Sequence, residues 1–121
     1  VDFVEGFSTT RELERIRAGA HELAELRLLE AALTGELTLS RDETTEVERI
    51  VEDASPLRRL GLGEGAAIAE AKAAAAARVG QWRERAESPL AMPSERELLE
   101  IAARSYEGIY AELVALESPA R

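Results

Sequence analysis

Residues 66–116, AAIAEAKAAAAARVGQWRERAESPLAMPSERELLEIAARSYEGIYAELVAL, decide the fold. From Ala66 to Ala86 the chain is rich in alanine, the residue that forms helix at least cost, and Ile68, Ala75, Val79, Trp82 and Ala86 recur on one helical face. Gly80 weakens that helix without breaking its pattern. Ser88-Pro89 and Pro93 then mark a connection, because proline lacks a backbone donor and disfavours helix in the residue before it. Ser94-Glu95-Arg96-Glu97 has the Ser/Thr-x-x-Glu form of a capping box, in which hydroxyl and carboxylate each satisfy a backbone N–H orphaned at a helix start. Leu98, Ile101, Ala102, Ser105, Ile109, Leu113 and Leu116 form the stripe that follows, and Pro119 ends it. Two amphipathic helices with a short proline-containing link predict a helical hairpin in the C-terminal half.

Working back toward the N-terminus, Gly61, Gly63 and Gly65 mark a loop, with Leu57, Leu60 and Leu62 around it as a tight turn or short helical segment. Ser40-Arg41-Asp42-Glu43 repeats the capping-box form and opens a helix with Val47, Ile50, Val51 and Ala54 on one stripe, interrupted at Ser55-Pro56. Thr9-Thr10-Arg11-Glu12 has the same form and predicts the start of the first helix, whose stripe runs Leu13, Ile16, Ala20, Leu23, Leu26, Leu29, Leu33 down to a stop at Gly35. Residues 1–8, with two phenylalanines, read as an arm or linker; an opening valine in place of methionine suggests a fragment or processed chain. The expected organisation is therefore an arm (1–8), one helical domain (9–118) and a short tail (119–121).

A chain of 121 residues is one domain's worth of polypeptide. Its 22 alanines and five aromatics predict a thin interior of closely approaching helices, and the scarcity of aromatics disfavours sheets. The expectation is an all-α, four-helix bundle-like assembly. Isolated helices of this length are marginal in water, so burial of their apolar faces, at roughly 25 cal/mol per Å², has to hold them. Trp82, Tyr106 and Tyr110 are the bulky anchors that an alanine-rich face lacks. Leu26, Leu29 and Leu33 are the candidate face for a protein partner or a second copy.

The chemistry is mostly exclusion. With no cysteine there is no disulfide, thiolate metal site or cysteine nucleophile. His21-Glu22 with Glu25 resembles part of a His-Glu-x-x-His zinc helix, but Glu25 stands where the second histidine belongs, and a di-iron bundle needs more histidines than one. His21, Glu22 and Glu25 are kept as polar contacts of an alternative reading, a small ligand- or metal-binding bundle. The three glycines lack the strand before and the Lys-Ser/Thr after that a phosphate loop needs, and no serine has a histidine within motif reach. No catalytic residue, cofactor site or metal site is nominated. A net charge of −9 makes nucleic acid a poor partner, and seven acids against two arginines within residues 36–56 read as a solvated or docking face. No apolar run reaches membrane-spanning length and no secretory leader is read, so the expected location is cytoplasmic.

Four stretches, Glu22–Leu39, LRRLGLGEG at 57–65, Ala73–Leu90 and Ile101–Leu113, together resemble the C-terminal helical region of actinobacterial dynamin-like GTPases of the isoniazid-inducible type. The most specific strings are QWRERAESPL (81–90) and ARSYEG (103–108). The resemblance implies a GTPase whose nucleotide site lies in a separate upstream domain, so that this chain is at most its non-catalytic helical appendage, or a stand-alone relative of that appendage. A second resemblance is to a J domain, through Leu60-Gly61-Leu62, the base-containing helix and Ser105-Tyr106-Glu107-Gly108-Ile109. The family's His-Pro-Asp loop is replaced by Glu87-Ser88-Pro89-Leu90, which implies an adaptor without co-chaperone activity, with Trp82 and Tyr106 facing each other.

Overall fold

The computed structural model describes the backbone of residues 2–117 and the side chains of residues 11–117. The elements are α1 (Asp2–Thr34), α2 (Arg41–Glu52), α3 (Pro56–Arg59), α4 (Ile68–Glu87) and α5 (Pro93–Glu117). The fold is all-α, and among the described residues there is no strand. Among the described residues the four expected helices are present, and the short helical segment expected around Leu57 and Leu60 is the single turn α3. No described helix is long and apolar enough to cross a membrane. The tail at 119–121, with Pro119, lies outside the described residues.

The hairpin of α4 and α5 organises the rest. Ala71, Ala75, Trp82 and Ala86 of α4 are buried, and small side chains there let the two axes approach closely. α5 is central: Leu98, Leu99, Ile101, Ala102, Ala103, Ser105, Tyr106, Ile109 and Leu113 are all buried, which takes more than one face of a helix. α4 covers one side of it, and α1 and α3 contact the other, with α2 packed on α1. Val47 and Ile50 of α2, Leu28 and Ala31 of α1, and the loop residues Leu37 and Leu60 complete a single core. Leu116, assigned to the α5 stripe, is exposed.

The termini follow local chemistry. Ser40 caps α2 in a complete capping box: its hydroxyl accepts the Glu43 N–H at 3.1 Å, while the Glu43 carboxylate accepts the Ser40 N–H at 2.8 Å. Ser55 caps α3 with Pro56 in the first turn. α1 stops at Thr34 because Gly35 takes φ 83°, after which the Leu37 N–H returns to the Ala31 carbonyl and seats Leu37 in the core. Gly61 also has positive φ, 78°, at the turn after α3.

Two predicted starts move. α1 begins at Asp2, ahead of the Thr9 box, which lies inside the helix. α5 begins at Pro93, whose fixed φ suits the first helical position; the Met92 N–H donates to Glu95 Oε1 at 3.1 Å, and Ser94 falls within the first turn. The larger correction is the face of α1. Leu28 and Ala31 are fully buried and Glu25 nearly so, but Leu13, Ile16, Leu23, Leu26 and Leu33 of the predicted stripe point outward, and only Leu29 packs, half-buried, against the core. At 100° per residue the side of α1 that meets the body carries His21, Ala24, Glu25, Leu28 and Ala31, and the richer leucine stripe is left uncovered.

Candidate functional site

Three polar constellations and one apolar face stand out. The first converges on Glu46, on the α2 side facing the hairpin. Its Oε1 accepts the indole N–H of Trp82 at 3.0 Å and the Tyr106 hydroxyl at 3.4 Å, and it lies 3.4 Å from Nη1 of Arg78. Arg78 in turn donates to the Tyr106 hydroxyl at 3.3 Å and lies over the Tyr106 ring, 5.8 Å from its centroid. Trp82 and Tyr106 are almost wholly buried, so each polar tip needs a partner inside, and one carboxylate serves both. Burial above all, with the Glu46 charge beside it, pushes the Tyr106 hydroxyl up to about 12; Arg78 pulls the other way.

The second joins α2 to the end of α4. Arg85 Nε donates to Glu43 Oε2 at 3.0 Å, and its Nη2 donates to the Thr38 carbonyl at 2.7 Å. Partial burial by itself would raise the Glu43 carboxyl, but the guanidinium and the Ser40 cap outweigh it and hold the group below its ordinary value. Glu43 and Glu46 therefore do not belong to a freely solvated acidic face, although Asp42 and Glu52 beside them are exposed.

The third surrounds Glu25. Its Oε2 accepts from Ser105 Oγ at 2.6 Å and Arg59 Nη2 at 2.9 Å, and stands 3.2 Å from His21 Nε2. Ser105 spends its proton on Glu25, so the 3.0 Å contact between His21 Nε2 and Ser105 Oγ requires the hydrogen to be on Nε2. Arg59 Nε also donates to the Ile50 carbonyl at 3.0 Å, tying α3 to α2 as well as α1. A cleft of about 450 Å³ opens beside this cluster, lined by His21, Glu22, Glu25, Asp53, Arg59 and apolar side chains of α1 and α2. The three residues of the ligand-binding alternative thus share one cleft. Among the described residues, no group of three or more His, Cys, Asp or Glu is placed to hold a metal ion. A serine beside a histidine suggests a nucleophile, yet Ser105 is buried and its proton is directed to Glu25, not to His21.

The apolar face is the outer side of α1. Ile16, Leu23, Leu26 and Leu33 are 65%, 68%, 52% and 62% exposed, whereas Leu29 is half-buried. Of the aromatic anchors, Trp82 and Tyr106 lie inside and meet at Glu46. Tyr110 sits on the outer side of α5, with Lys72 Nζ 5.9 Å from its ring centroid. Sequence reasoning missed Glu46, Arg59 and Arg85, and found Glu43 as a cap but not as the partner of Arg85. The available signal was the position of Glu43 and Glu46, which share the 3–4 spacing of Val47 and Ile50 and so had to face the body.

Over 106 residues, 86% of this chain, the sequence is 35% identical to the isoniazid-induced protein IniC of Mycobacterium tuberculosis, in each of two strains. No protein-family model matches the chain, and no solved structure matches it. The matched region spans 21% of the length of those relatives, so along most of its own length this chain is similar to about a fifth of that mycobacterial protein.

Proposed function

We propose that this chain is a non-catalytic helical interaction region of a dynamin-like protein of the isoniazid-inducible type, corresponding to the C-terminal helical part of such a GTPase. The observation that carries the interaction role is the two-sidedness of α1: one side enters the core, and the other presents Ile16, Leu23, Leu26 and Leu33 to solvent. Single exposed apolar residues are ordinary, but an isoleucine and three leucines on one face of one helix, interrupted at Gly19 and Glu30, form a surface of the kind that marks a contact. Leu26 and Leu33 are the contact residues in this reading; Leu29, Trp82 and Tyr106 anchor the helices that present them. The relationship to IniC and the two strings QWRERAESPL and ARSYEG support the dynamin-like assignment.

Hydrolysis of nucleotide belongs, in this reading, to a domain encoded upstream. The coding sequence ahead of Val1 is expected to contain a Gly-x-x-x-x-Gly-Lys-Ser/Thr loop, and the joined protein is expected to hydrolyse GTP while residues 1–121 alone do not. A complete gene that begins at Val1, or GTP turnover by the 121-residue chain, refutes it.

A further inference from the structure

The cleft between α1 and the end of α2 has walls of one sign. Glu22, Glu25 and Asp53 reach it, and Leu26 and Val51 supply apolar wall. Glu25 is the deepest of the acids, its side chain only 9% exposed, and its three contacts all fall on Oε2. Oε1 accepts no hydrogen bond from the described residues. No sealed side-chain oxygen among them lacks a partner, so Oε1 keeps an opening, and the cleft is the opening that Glu25 lines. The side chains of Glu22, exposed, and Asp53, half-buried, also have no hydrogen bond or ion pair among the described residues. Acceptors therefore stand at three depths along one cavity. The base in the wall is already engaged: Arg59 is held by the Ile50 carbonyl, by Glu25 and, at 3.7 Å, by Glu112.

We infer that this cleft binds a free aliphatic diamine, one ammonium group at Glu25 Oε1, the other at the outer carboxylates Glu22 and Asp53, and the alkyl stem along Leu26 and Val51. Sign is the first reason. Three carboxylates face one guanidinium, so with His21 counted neutral the wall carries two negative charges, which a dication matches. Asp53 is also the C-cap of α2, so the negative end of that helix dipole lies at the cleft and favours a cation further. His21, with its hydrogen on Nε2, leaves Nδ1 as an acceptor and adds no positive charge. Shape is the second reason. The acids do not gather round one point as metal ligands must, yet they share a single cavity with apolar walls, which suits separated charges on a hydrocarbon stem. The volume, about 450 Å³, lies within the roughly 300–1,000 Å³ of small-molecule sites. A lysine side chain of another protein would bring only one of the two ammonium groups. This inference goes beyond the interaction reading and does not rest on it.

The test is a titration of the ¹⁵N-labelled 121-residue chain with 1,4-diaminobutane, followed by amide NMR at constant pH and low ionic strength, where exposed charges are least screened. Saturable shifts are expected at the amides of His21, Glu22, Val51, Asp53 and Ala54, with a Kd of about 1 mM. n-Butylamine should bind roughly fivefold more weakly, and Glu22→Gln and Asp53→Asn should each weaken the diamine roughly threefold, as loss of a partly exposed ion pair does. Neither acid has a side-chain partner to lose, so both variants keep the parent spectrum. Glu25 is left intact because it also holds Arg59 and Ser105. Ala18→Phe, which fills the cleft without altering its charge, should abolish the shifts; if that variant does not keep the parent fold, the two charge variants decide. Absence of shifts with the diamine overturns the inference. So do equal shifts from 1,4-butanediol, affinity indifferent to both charge variants, or saturation by Mg²⁺ at the same concentrations. Nα-acetyl-lysine N-methylamide binding as tightly as the diamine also overturns it, and would give the cleft to a protein side chain.

Discussion

Removing the Glu46 carboxylate tests whether the body is pinned by one shared acceptor. In Glu46→Ala the indole N–H of Trp82 and the hydroxyl of Tyr106 both lose their acceptor in places that water scarcely reaches. An orphaned buried donor costs about 1–3 kcal/mol, so two give roughly 2–6, reduced because a partly desolvated carboxylate is removed as well; a net loss of about 3 kcal/mol is expected. Glu46→Gln keeps an oxygen in place and loses mainly the ion pair with Arg78, about 1 kcal/mol. Urea unfolding followed by the emission of Trp82, the sole tryptophan, measures both. The folded Ala variant should also emit further to the red, as water reaches the indole. An alanine variant within about 0.5 kcal/mol of the parent, with unshifted emission, would refute the shared-acceptor argument.

Trp82→Ala, which empties a buried site as well as breaking the bond to Glu46, should cost about 3–5 kcal/mol by chemical denaturation; an unchanged midpoint would contradict its burial. Gly61→Ala should cost about 1 kcal/mol or more, because alanine is strained at φ 78° and its Cβ would come within 2.6 Å of the Arg49 guanidinium; a neutral effect on melting temperature would argue against the turn. Stability should fall at both extremes of pH. The raised Tyr106 value gives a contribution fully present below about pH 10 and lost as pH rises through about 12, worth roughly 3 kcal/mol, whereas the lowered Glu43 value gives one present above 4.5 and lost as pH falls through its folded value. Alkaline denaturation that is unaltered in Tyr106→Phe would remove the first of these assignments.

Much of the fold is legible locally, because caps and breakers act within a few residues. Ser40 with Glu43, Gly35 and Pro56 each terminate or start a helix for reasons visible in a short window. Pro93 shows the limit: two signals for one helix start competed, and the ring that fixes φ prevailed over the Ser94 hydroxyl. α1 misleads for a different reason. Both of its sides are apolar enough to be a core face, and the one chosen by packing is the poorer in leucine, because its Glu25 and His21 are satisfied by Arg59 and Ser105, which come from distant parts of the chain. No local window contains those partners. The same holds for Glu46, whose ligands lie 36 and 60 positions away.

The buried alanines of α4 and α5 have a mechanical consequence. Ala71, Ala75, Ala102 and Ala103 allow backbone to lie against backbone, which makes the hairpin a stiff plank with little side chain to deform. The α1–α2 unit is joined to it through the larger side chains Leu28, Val47 and Ile50 and through polar links at Glu46, Arg85 and Ser105. Pulled apart, the molecule should therefore yield along that join first, with the plank intact, and the load needed should drop in concentrated salt.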